Sequence, residues 1–196
     1  MALPKPPITP QEYLAFEREA EIKHEFLNGE IVAMSGASLA HNRIVLDAAG
    51  SLNTQLRERG CEVFVSDTRV KLDARNYVYP DIAVVCGQLM SIVESGLETL
   101  LAPTLLVEVL SPSTEIYDRG AKFKRYQALA SLRQYVLIAQ DAPRIEVYTR
   151  QADGAWLYTV AAGREATTAL SSVGGALALS EVYRRVTFDA AAEEDS

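Results

Sequence analysis

The sequence has few of the residues on which cross-linked and zinc-binding domains depend. Its 196 residues include two cysteines and two histidines. Cys61 and Cys86 have neither the density of a disulfide scaffold nor a CxxC spacing, so we interpret both as reduced thiols. His24 and His41 are too few for a histidine-rich zinc site. His41 stands at an expected helix start and could touch a phosphate there, but we predict a structural or solvent-facing role for both histidines.

Long apolar segments are also missing from the sequence. No stretch approaches the roughly 20 residues that a transmembrane helix requires. The opening MALPKPPITP lacks the apolar run of a signal peptide. We therefore expect a cytoplasmic protein without a membrane partner.

Positive charge is in the minority. Lysine and arginine number 19 against 26 acidic residues, which gives a formal net charge of −7 and argues against a broad, nonspecific nucleic-acid coat. The last eight residues, DAAAEEDS, hold four acids and no base, which predicts a disordered acidic tail over 189–196. The length of the remainder suits one folded domain over 1–188.

Local patterns predict a mixed α/β (α+β) domain that begins with a helix and a β-hairpin. Thr9-Pro10-Gln11-Glu12 forms a capping box that opens a helix to about residue 20. The pair Asn28-Gly29 predicts the hairpin turn. Helical spacing of Ile44, Leu46, Leu52 and Leu56 predicts a helix over 37–59 that stops at Gly60.

The rest of the chain alternates strands with short helices. We predict a helix over 115–130, a last short helix at LSEVYRR, and strands at CEVFVS, TRVKL, YPDIAVV, TLLVEVL, QYVLIA, RIEVYT and WLYTVA. A mixed central sheet flanked by helices is the simplest architecture for this order.

Two of these strands each carry one carboxylate among apolar residues. Asp81 enters YPDIAVVC, and Glu108 lies inside PTLLVEVLSPST. Both faces of each strand are apolar, so both acids are expected to be partly buried. Burial of a carboxylate costs several kcal/mol unless a cation or donors replace water. Two converging acids could share a divalent metal. Alternatively, Asp81 caps a turn after Pro80 and Glu108 pairs with an arginine.

A cation is available in the helix predicted after Glu108. A helical wheel places Ile116, Phe123 and Ala130 on the inward stripe. Lys122 and Lys124 lie on opposite flanks of that stripe, about 100° from Phe123, so the wheel does not choose between them. Either lysine could reach the acids or remain on the surface beside the core.

Other polar residues near this helix have simpler interpretations. Ser111-Pro112-Ser113-Thr114 is expected to cap the helix, and Asp118 to support its first turn. Tyr126 could hydrogen-bond a substrate, but we expect it to pack in the core.

The order of these motifs resembles the PD-(D/E)xK nuclease superfamily, and more closely its bacterial Uma-type restriction endonuclease family. The blocks that carry the resemblance lie between residues 24 and 129: HEFLNGEIVAMSGAS, AHNRIV, CEVFVSDTRVKL, YPDIAVVC, LLVEVLSPST and DRGAKFKRYQAL. The resemblance implies a restriction-endonuclease-like core and metal-dependent phosphodiester cleavage, with Asp81 and Glu108 as metal ligands. Where the wider superfamily has its lysine, two residues after Glu108, this chain has Leu110. The Uma-type pattern moves the lysine to the next helix, which corresponds to Lys122.

These residues suit the chemistry of phosphodiester hydrolysis. The backbone carbonyl of Val109 would complete a Mg²⁺ site with Asp81 and Glu108, and Mn²⁺ could substitute. Lys122 would offset charge on the phosphate in the transition state. Glu25 resembles an early acidic residue of the family and would order a metal-bound water or a second ion. Alternatively, Glu25 is an exposed charge beside a turn.

The function predicted from the sequence is therefore a Mg²⁺-dependent DNA endonuclease that forms a homodimer. Two alternatives stay open. One is a catalytically inactive nuclease-like module that binds nucleic acid or a protein, and the other is a phosphohydrolase of small phosphodiesters.

Overall fold

The computed structural model of the chain describes residues 7–34 and 36–188. The predicted acidic tail, 189–196, lies outside the described residues. Within them, no helix is long and apolar enough to cross a membrane.

The chain begins as its capping box predicts. Helix α1 spans Pro10–Glu19, with the Thr9 side chain and the Glu12 side chain each accepting from the other's backbone N–H. Strands β1 (His24–Leu27) and β2 (Glu30–Ala33) then form the predicted hairpin. Gly29 has a φ of 97°, and a Cβ atom there would lie 2.6 Å from Cβ of Pro7. Both the backbone angle and the close approach therefore require glycine.

Twelve further strands follow in the described part of the chain. Five of them, at 76–78, 91–94, 97–100, 167–170 and 175–178, are absent from the sequence-based prediction. The strands are β3 (Cys61–Val65), β4 (Arg69–Asp73), β5 (Asn76–Val78), β6 (Ile82–Cys86), β7 (Ser91–Glu94), β8 (Leu97–Leu100), β9 (Leu105–Val109), β10 (Gln134–Ile138), β11 (Arg144–Arg150), β12 (Trp156–Ala162), β13 (Thr167–Leu170) and β14 (Gly175–Ala178).

The strands form two six-stranded sheets and a separate hairpin. The first sheet has the order β2-β1-β5-β4-β8-β7 and the second β12-β11-β10-β9-β6-β3, while β13 pairs with β14. In the second sheet β9 and β10 run parallel, whereas β9 and β6 run antiparallel. The fold is thus the predicted mixed sheet flanked by helices, a restriction-endonuclease-like core.

Strand register brings the two carboxylates of the sequence motifs to the same place. Ile82 pairs with Val107 across β6 and β9. Extension of this register by one residue puts Asp81 opposite Glu108. Asp81 directly precedes the first residue of β6, so it lies just outside the paired part of the strand.

Apolar residues fill both faces of the second sheet. One face packs on helix α2 (Leu39–Leu56) through residues such as Leu52, Val84 and Val107. The other face, which includes Leu106 and Leu110, packs against residues of the first sheet and the segment after Glu108. Glu108 shares this second face, as alternation along the strand predicts.

Helix α2 follows the predicted pattern with one exception. Ile44, Leu52 and Leu56 are fully buried, but the side of the helix that carries Leu46 faces outward, and Leu46 is 61% exposed. Two residues after Ile44, a side chain is rotated by about 200° on a helix. A 3₁₀ turn, Arg57–Arg59, and Gly60 with a φ of 71° end the helix.

The helix predicted over 115–130 is shorter and irregular. It consists of α3 (Glu115–Tyr117), a π turn (Asp118–Lys122) and α4 (Phe123–Tyr126). The inward stripe predicted for it is wrong at two positions, because Ile116 is 90% exposed and Ala130 is also exposed. A π turn closes i→i+5 hydrogen bonds and holds an extra residue, so a wheel drawn at 100° per residue loses register. Helix α5 (Leu179–Val182) is the predicted last helix.

Cys61 and Cys86 form a disulfide bond, so the prediction of two reduced thiols is wrong. The two residues are direct partners in the antiparallel pair β3–β6, with Cα atoms 4.0 Å apart. Spacing alone gave no signal, because only the pairing of two strands brings these positions together.

Removal of this cross-link is expected to destabilise the fold. The bond closes a loop with a sequence separation of 25, and for such a loop the lost chain entropy corresponds to about 3.5 kcal/mol. A Cys61→Ala/Cys86→Ala variant should lose that much unfolding free energy in urea titration. The parent protein in dithiothreitol is the matched control and should shift equally. Equal midpoints for the oxidised parent and the variant would contradict this expectation.

Candidate active site

Four residues predicted to carry the chemistry meet at the bottom of one cleft. The cleft has a volume of about 680 Å³, and Glu25, Asp81, Glu108 and Lys122 all line it. Their side chains come from β1, the entrance to β6, β9 and the π turn. Lys122, Glu108 and Glu25 are 6%, 5% and 7% exposed, and Asp81 is 17% exposed.

Lys122 is the cation of this cluster. Its Nζ atom lies 2.8 Å from Oε1 of Glu108, 3.2 Å from Oε1 of Glu25 and 3.7 Å from Oδ1 of Asp118. Lys124, by contrast, is exposed. The structure thus selects between the two lysines that the helical wheel left open, and it pairs Glu108 with this lysine rather than with an arginine.

The charge of Lys122 is maintained by its neighbours. Burial alone would lower the pKa of this lysine, but the surrounding groups, Glu108 first among them, raise the pKa well above its usual range. Burial also raises the pKa of Glu108, against the opposing effect of Lys122. The same cause raises the pKa of Asp118. Removal of water is therefore the dominant influence on the two carboxyl groups, whereas the neighbouring acids outweigh it at Lys122.

Asp81 is held by the neighbouring strand rather than by a turn. Its Oδ2 atom accepts a hydrogen bond of 2.7 Å from the backbone N–H of Val109. The same oxygen lies 3.1 Å from Nε2 of His41. The alternative in which Asp81 caps a turn after Pro80 is therefore not what the structure shows. Val109 is adjacent to the site through its backbone.

His41 belongs to the site, although the sequence-based interpretation gave it a structural or solvent-facing role. Its side chain is 13% exposed and points at Asp81 from the first turn of α2. Burial lowers the pKa of His41, but the hydrogen bond and charge of Asp81, together with the backbone of Val109 and the charge of Asp118, raise the pKa overall. The other histidine, His24, contacts the buried carboxylate of Glu17 and has the predicted structural role.

Glu25 is a buried acid, so the alternative of an exposed charge beside a turn is wrong. Oε2 of Glu25 accepts a hydrogen bond of 3.1 Å from the hydroxyl of Tyr117. Oε1 lies 3.2 Å from Nζ of Lys122 and has no other hydrogen-bond donor among the described residues. Tyr117 and Lys122 therefore each hold one oxygen of this carboxylate.

Asp118 and Tyr126 also extend the site beyond their predicted roles. The Asp118 side chain is 4% exposed and faces Lys122 instead of only supporting a helix end. Tyr126 packs in the core, as expected, and its hydroxyl also donates a 2.6 Å hydrogen bond to Oε1 of Glu108. The signal in the sequence was the spacing of Asp118, Lys122 and Tyr126 at i, i+4 and i+8.

Contacts outside the cleft hold the π turn that directs Lys122 inward. Arg119 donates hydrogen bonds of 2.6 and 3.0 Å to the two oxygens of Glu146. Burial alone would raise the pKa of Glu146, but the hydrogen bonds from Arg119 and other donors lower it to about 2. The Tyr135 hydroxyl donates to the backbone carbonyl of Asp118. The turn is thus tied to β10 and β11.

The donor set fits a hard divalent cation. Four carboxylates, those of Glu25, Asp81, Glu108 and Asp118, line the cleft with one inward lysine and His41, so negative charge is in excess. Oxygen ligands of this kind suit Mg²⁺ or Mn²⁺. No group of three or more His, Cys, Asp or Glu side chains among the residues described could hold a metal ion. An ion on Asp81 and Glu108 would therefore need a backbone oxygen as its third protein ligand.

The hydrogen bond from Tyr126 to Glu108 should be measurable as stability. Tyr126→Phe removes a donor from a buried carboxylate, which is expected to lower the unfolding free energy by about 1–2 kcal/mol. Tyr148→Phe is the matched control. The Tyr148 side chain is partly buried, and its hydroxyl makes no side-chain hydrogen bond in the described parts of the chain. Chemical denaturation of both variants checks this. Equal losses would refute the expectation.

Comparisons with known proteins agree with the motifs. The family model described as "Uma2: Putative restriction endonuclease" matches residues 10–180. The Synechocystis sp. protein "Uncharacterized protein slr1290" is 34% identical over 186 residues, which cover 94% of this chain and 96% of that protein. A second Synechocystis protein, "Uncharacterized protein sll1609", is 35% identical over 160 residues, covering 81% and 90% of the two chains.

A solved structure shares the fold. The crystal structure of "a putative nuclease belonging to DUF820" from Anabaena variabilis matches with a TM-score of 0.74 and 21% identity, over 91% of this chain and 98% of that one. The family match includes all four cleft residues, from Glu25 to Lys122. The chain therefore belongs to the family described as "Uma2: Putative restriction endonuclease", and it shares the mixed α/β core of the solved structure.

Proposed function

We propose that the protein is a Mg²⁺-dependent endonuclease that hydrolyses DNA phosphodiester bonds, and that it acts in the cytoplasm. The observation that carries the proposal is the convergence of Asp81, Glu108, Glu25 and Lys122 in one buried cleft. These residues are separated by up to 97 positions in the sequence, from Glu25 to Lys122. Membership of a nuclease family supports the same chemistry.

In this proposal, Asp81, Glu108 and the backbone carbonyl of Val109 hold the metal ion. When bound, Mg²⁺ or Mn²⁺ would polarise a phosphoryl oxygen and lower the pKa of its water. The excess of carboxylates over cations supports the assignment, because an ion would neutralise charge that Lys122 alone does not balance.

The remaining residues act on the substrate directly. The ammonium of Lys122 stays charged and stabilises negative charge that develops on the phosphate oxygens. Glu25, held between Tyr117 and Lys122, accepts a hydrogen bond from the attacking water and orients it. The net reaction adds water across a P–O ester bond and yields a phosphate monoester and a hydroxyl.

The test compares three phosphodiester substrates. Plasmid DNA, a single-stranded oligonucleotide and bis(p-nitrophenyl) phosphate are incubated with the protein in Mg²⁺, Mn²⁺ or excess EDTA. We expect at least one of the two DNA substrates to be cut in either ion and EDTA to abolish cutting. Hydrolysis of the small ester alone would support a phosphohydrolase instead. Absence of hydrolysis under every condition would contradict the proposal and leave the inactive binding module.

We also propose that the protein forms a homodimer. The support is apolar side chains on the surface, including Leu46 on α2 and Leu157 and Val160 on the edge strand β12. Light scattering from micromolar to tens of micromolar protein should give the mass of a dimer. A monomer mass throughout that range would overturn this part of the proposal.

A further inference from the structure

The depth of the cleft restricts how a phosphodiester can reach the reactive groups. The side chains of Glu25, Glu108 and Lys122 are at least 93% buried. A phosphate must therefore enter the cleft to approach Nζ of Lys122. In a DNA duplex the phosphates lie on the outer surface of a stiff double helix. A single strand is flexible and can bend so that one phosphate enters the cleft.

The volume of the cleft is that of a small-molecule site. At about 680 Å³, it falls inside the range of about 300–1,000 Å³ found for small-ligand pockets. A space of this size accommodates one or two nucleotides. An intact duplex, which carries two strands and rises about 3.4 Å with each base pair, needs a much wider channel.

The charges around the cleft do not suit a duplex either. The described residues that line it include two lysines, Lys23 and Lys122, and no arginine. Lys23 is paired with Asp67, and Lys122 with buried carboxylates. A duplex-binding protein that contacts about 6–10 phosphates neutralises them with lysine and arginine. The lining offers no such set.

Neutral polar groups take the place of cations at the cleft walls. Hydroxyl and amide groups of this kind hydrogen-bond to sugars and base edges, and they do not neutralise phosphates. The apolar side chains of Ile22, Met34 and Pro112 stand beside them and can pack on the face of a base. The neutral polar lining residues include Ser38, Ser66, Ser111, Ser113, Thr114 and Gln140.

We infer that the cleft accepts single-stranded DNA, one or two nucleotides at a time, and excludes an intact duplex. This inference rests on the proposed phosphodiester hydrolysis and names the form of its substrate. Bases are held by hydroxyl, amide and apolar contacts, and few phosphates are neutralised by the protein. Single-stranded overhangs and flaps on a duplex are substrates for the same reason.

The first test measures cleavage with four substrates in Mg²⁺. These are a single-stranded oligonucleotide, the same sequence as a blunt duplex, that duplex with a single-stranded flap, and the p-nitrophenyl ester of thymidine 5′-monophosphate. We expect the single strand and the flap to be cut at least about tenfold faster than the blunt duplex, a difference of about 1.4 kcal/mol in activation free energy. Cuts in the third substrate should be confined to the flap.

The outcomes separate this inference from the proposed function. If the blunt duplex is cut as fast as the single strand, the inference fails while the nuclease function stands. If none of the four is hydrolysed, the proposed function fails.

A binding measurement tests the strand preference without turnover. Fluorescence anisotropy in Ca²⁺, with labelled single-stranded and duplex oligonucleotides, gives affinity as a function of salt. For one or two neutralised phosphates on a single strand, log K should fall with log salt at a slope of about −0.7 to −1.4. Tighter binding of the duplex, or a slope steeper than about −4 for the single strand, would overturn the inference.

Discussion

Replacement of Lys122 by alanine is expected to slow DNA cleavage by about two to three powers of ten, the effect typical for loss of a preorganised group that stabilises the transition state. Lys122 lies 2.8 Å from Glu108 at the bottom of the cleft, and its charge is maintained by the surrounding acids. Single-turnover cleavage in saturating Mg²⁺ measures the effect on the chemical step. Metal binding should survive, because the lysine is not a ligand.

Lys124→Ala is the matched control for this experiment. Lys124 lies two positions away on the same helical segment but is exposed, so its loss should change the cleavage rate by no more than about a factor of two. A Lys122→Ala protein that cleaves like the parent, together with an inactive Lys124→Ala protein, would show that the lysine has been misassigned.

Stability must be measured alongside activity in the Lys122 variant. Removal of the ammonium leaves three buried carboxylates without their cation. Deletion of one partner of a buried ion pair costs about 3–5 kcal/mol of stability. Lys122→Arg retains a positive charge and separates the two effects. If Lys122→Arg is folded but as inactive as Lys122→Ala, the position requires the compact ammonium. If both variants are merely unfolded, circular dichroism will show it.

Part of the site could be predicted from strand patterns because burial along a strand is a local property of the sequence. Alternation along YPDIAVVC and TLLVEVL predicts that Asp81 and Glu108 enter apolar surroundings. Antiparallel pairing of Ile82 with Val107 then brings the two acids face to face. The capping box at Thr9 and the Asn28-Gly29 turn are local in the same sense. Burial and chain reversal are encoded within a few residues at these positions.

Features that depend on tertiary contacts were not predictable from local patterns. The π turn at Asp118–Lys122 is anchored by Glu146 on a strand that follows it, so a regular wheel misplaced Ile116. The disulfide depends on the pairing of β3 with β6. His41 contacts Asp81 only after α2 packs on the second sheet. In each case the deciding neighbour is distant in the sequence.

The proposed metal ligands should respond differently from the lysine. Asp81→Asn and Glu108→Gln are expected to weaken Mg²⁺ binding by about 100-fold or more, since a neutral amide is a poorer ligand for a hard cation and loss of outer contacts alone costs about 10–100-fold. Cleavage should fall with metal occupancy. Isothermal titration calorimetry measures the affinity directly. Mg²⁺-dependent stabilisation in thermal melts supplies a second readout that does not depend on activity.

The fold should tolerate both substitutions in the absence of metal. In the Asp81→Asn variant, the side-chain amide oxygen can still accept the hydrogen bond from the N–H of Val109. In the Glu108→Gln variant, the amide oxygen can still accept from the hydroxyl of Tyr126. Asp81→Asn removes a partly buried charge, and Glu108→Gln leaves Glu25 and Asp118 to balance the ammonium of Lys122, so stability without metal should stay within about 1 kcal/mol of the parent or increase.

Glu165→Gln is the matched control for the loss of one negative charge. Glu165 is exposed and does not line the cleft, so Mg²⁺ affinity should remain that of the parent. Weaker Mg²⁺ binding in Asp81→Asn and Glu108→Gln, with an intact fold, would identify both residues as ligands. Parent-like affinity combined with a large loss of stability would instead make them structural members of the Lys122 network, and the metal site would have to lie elsewhere.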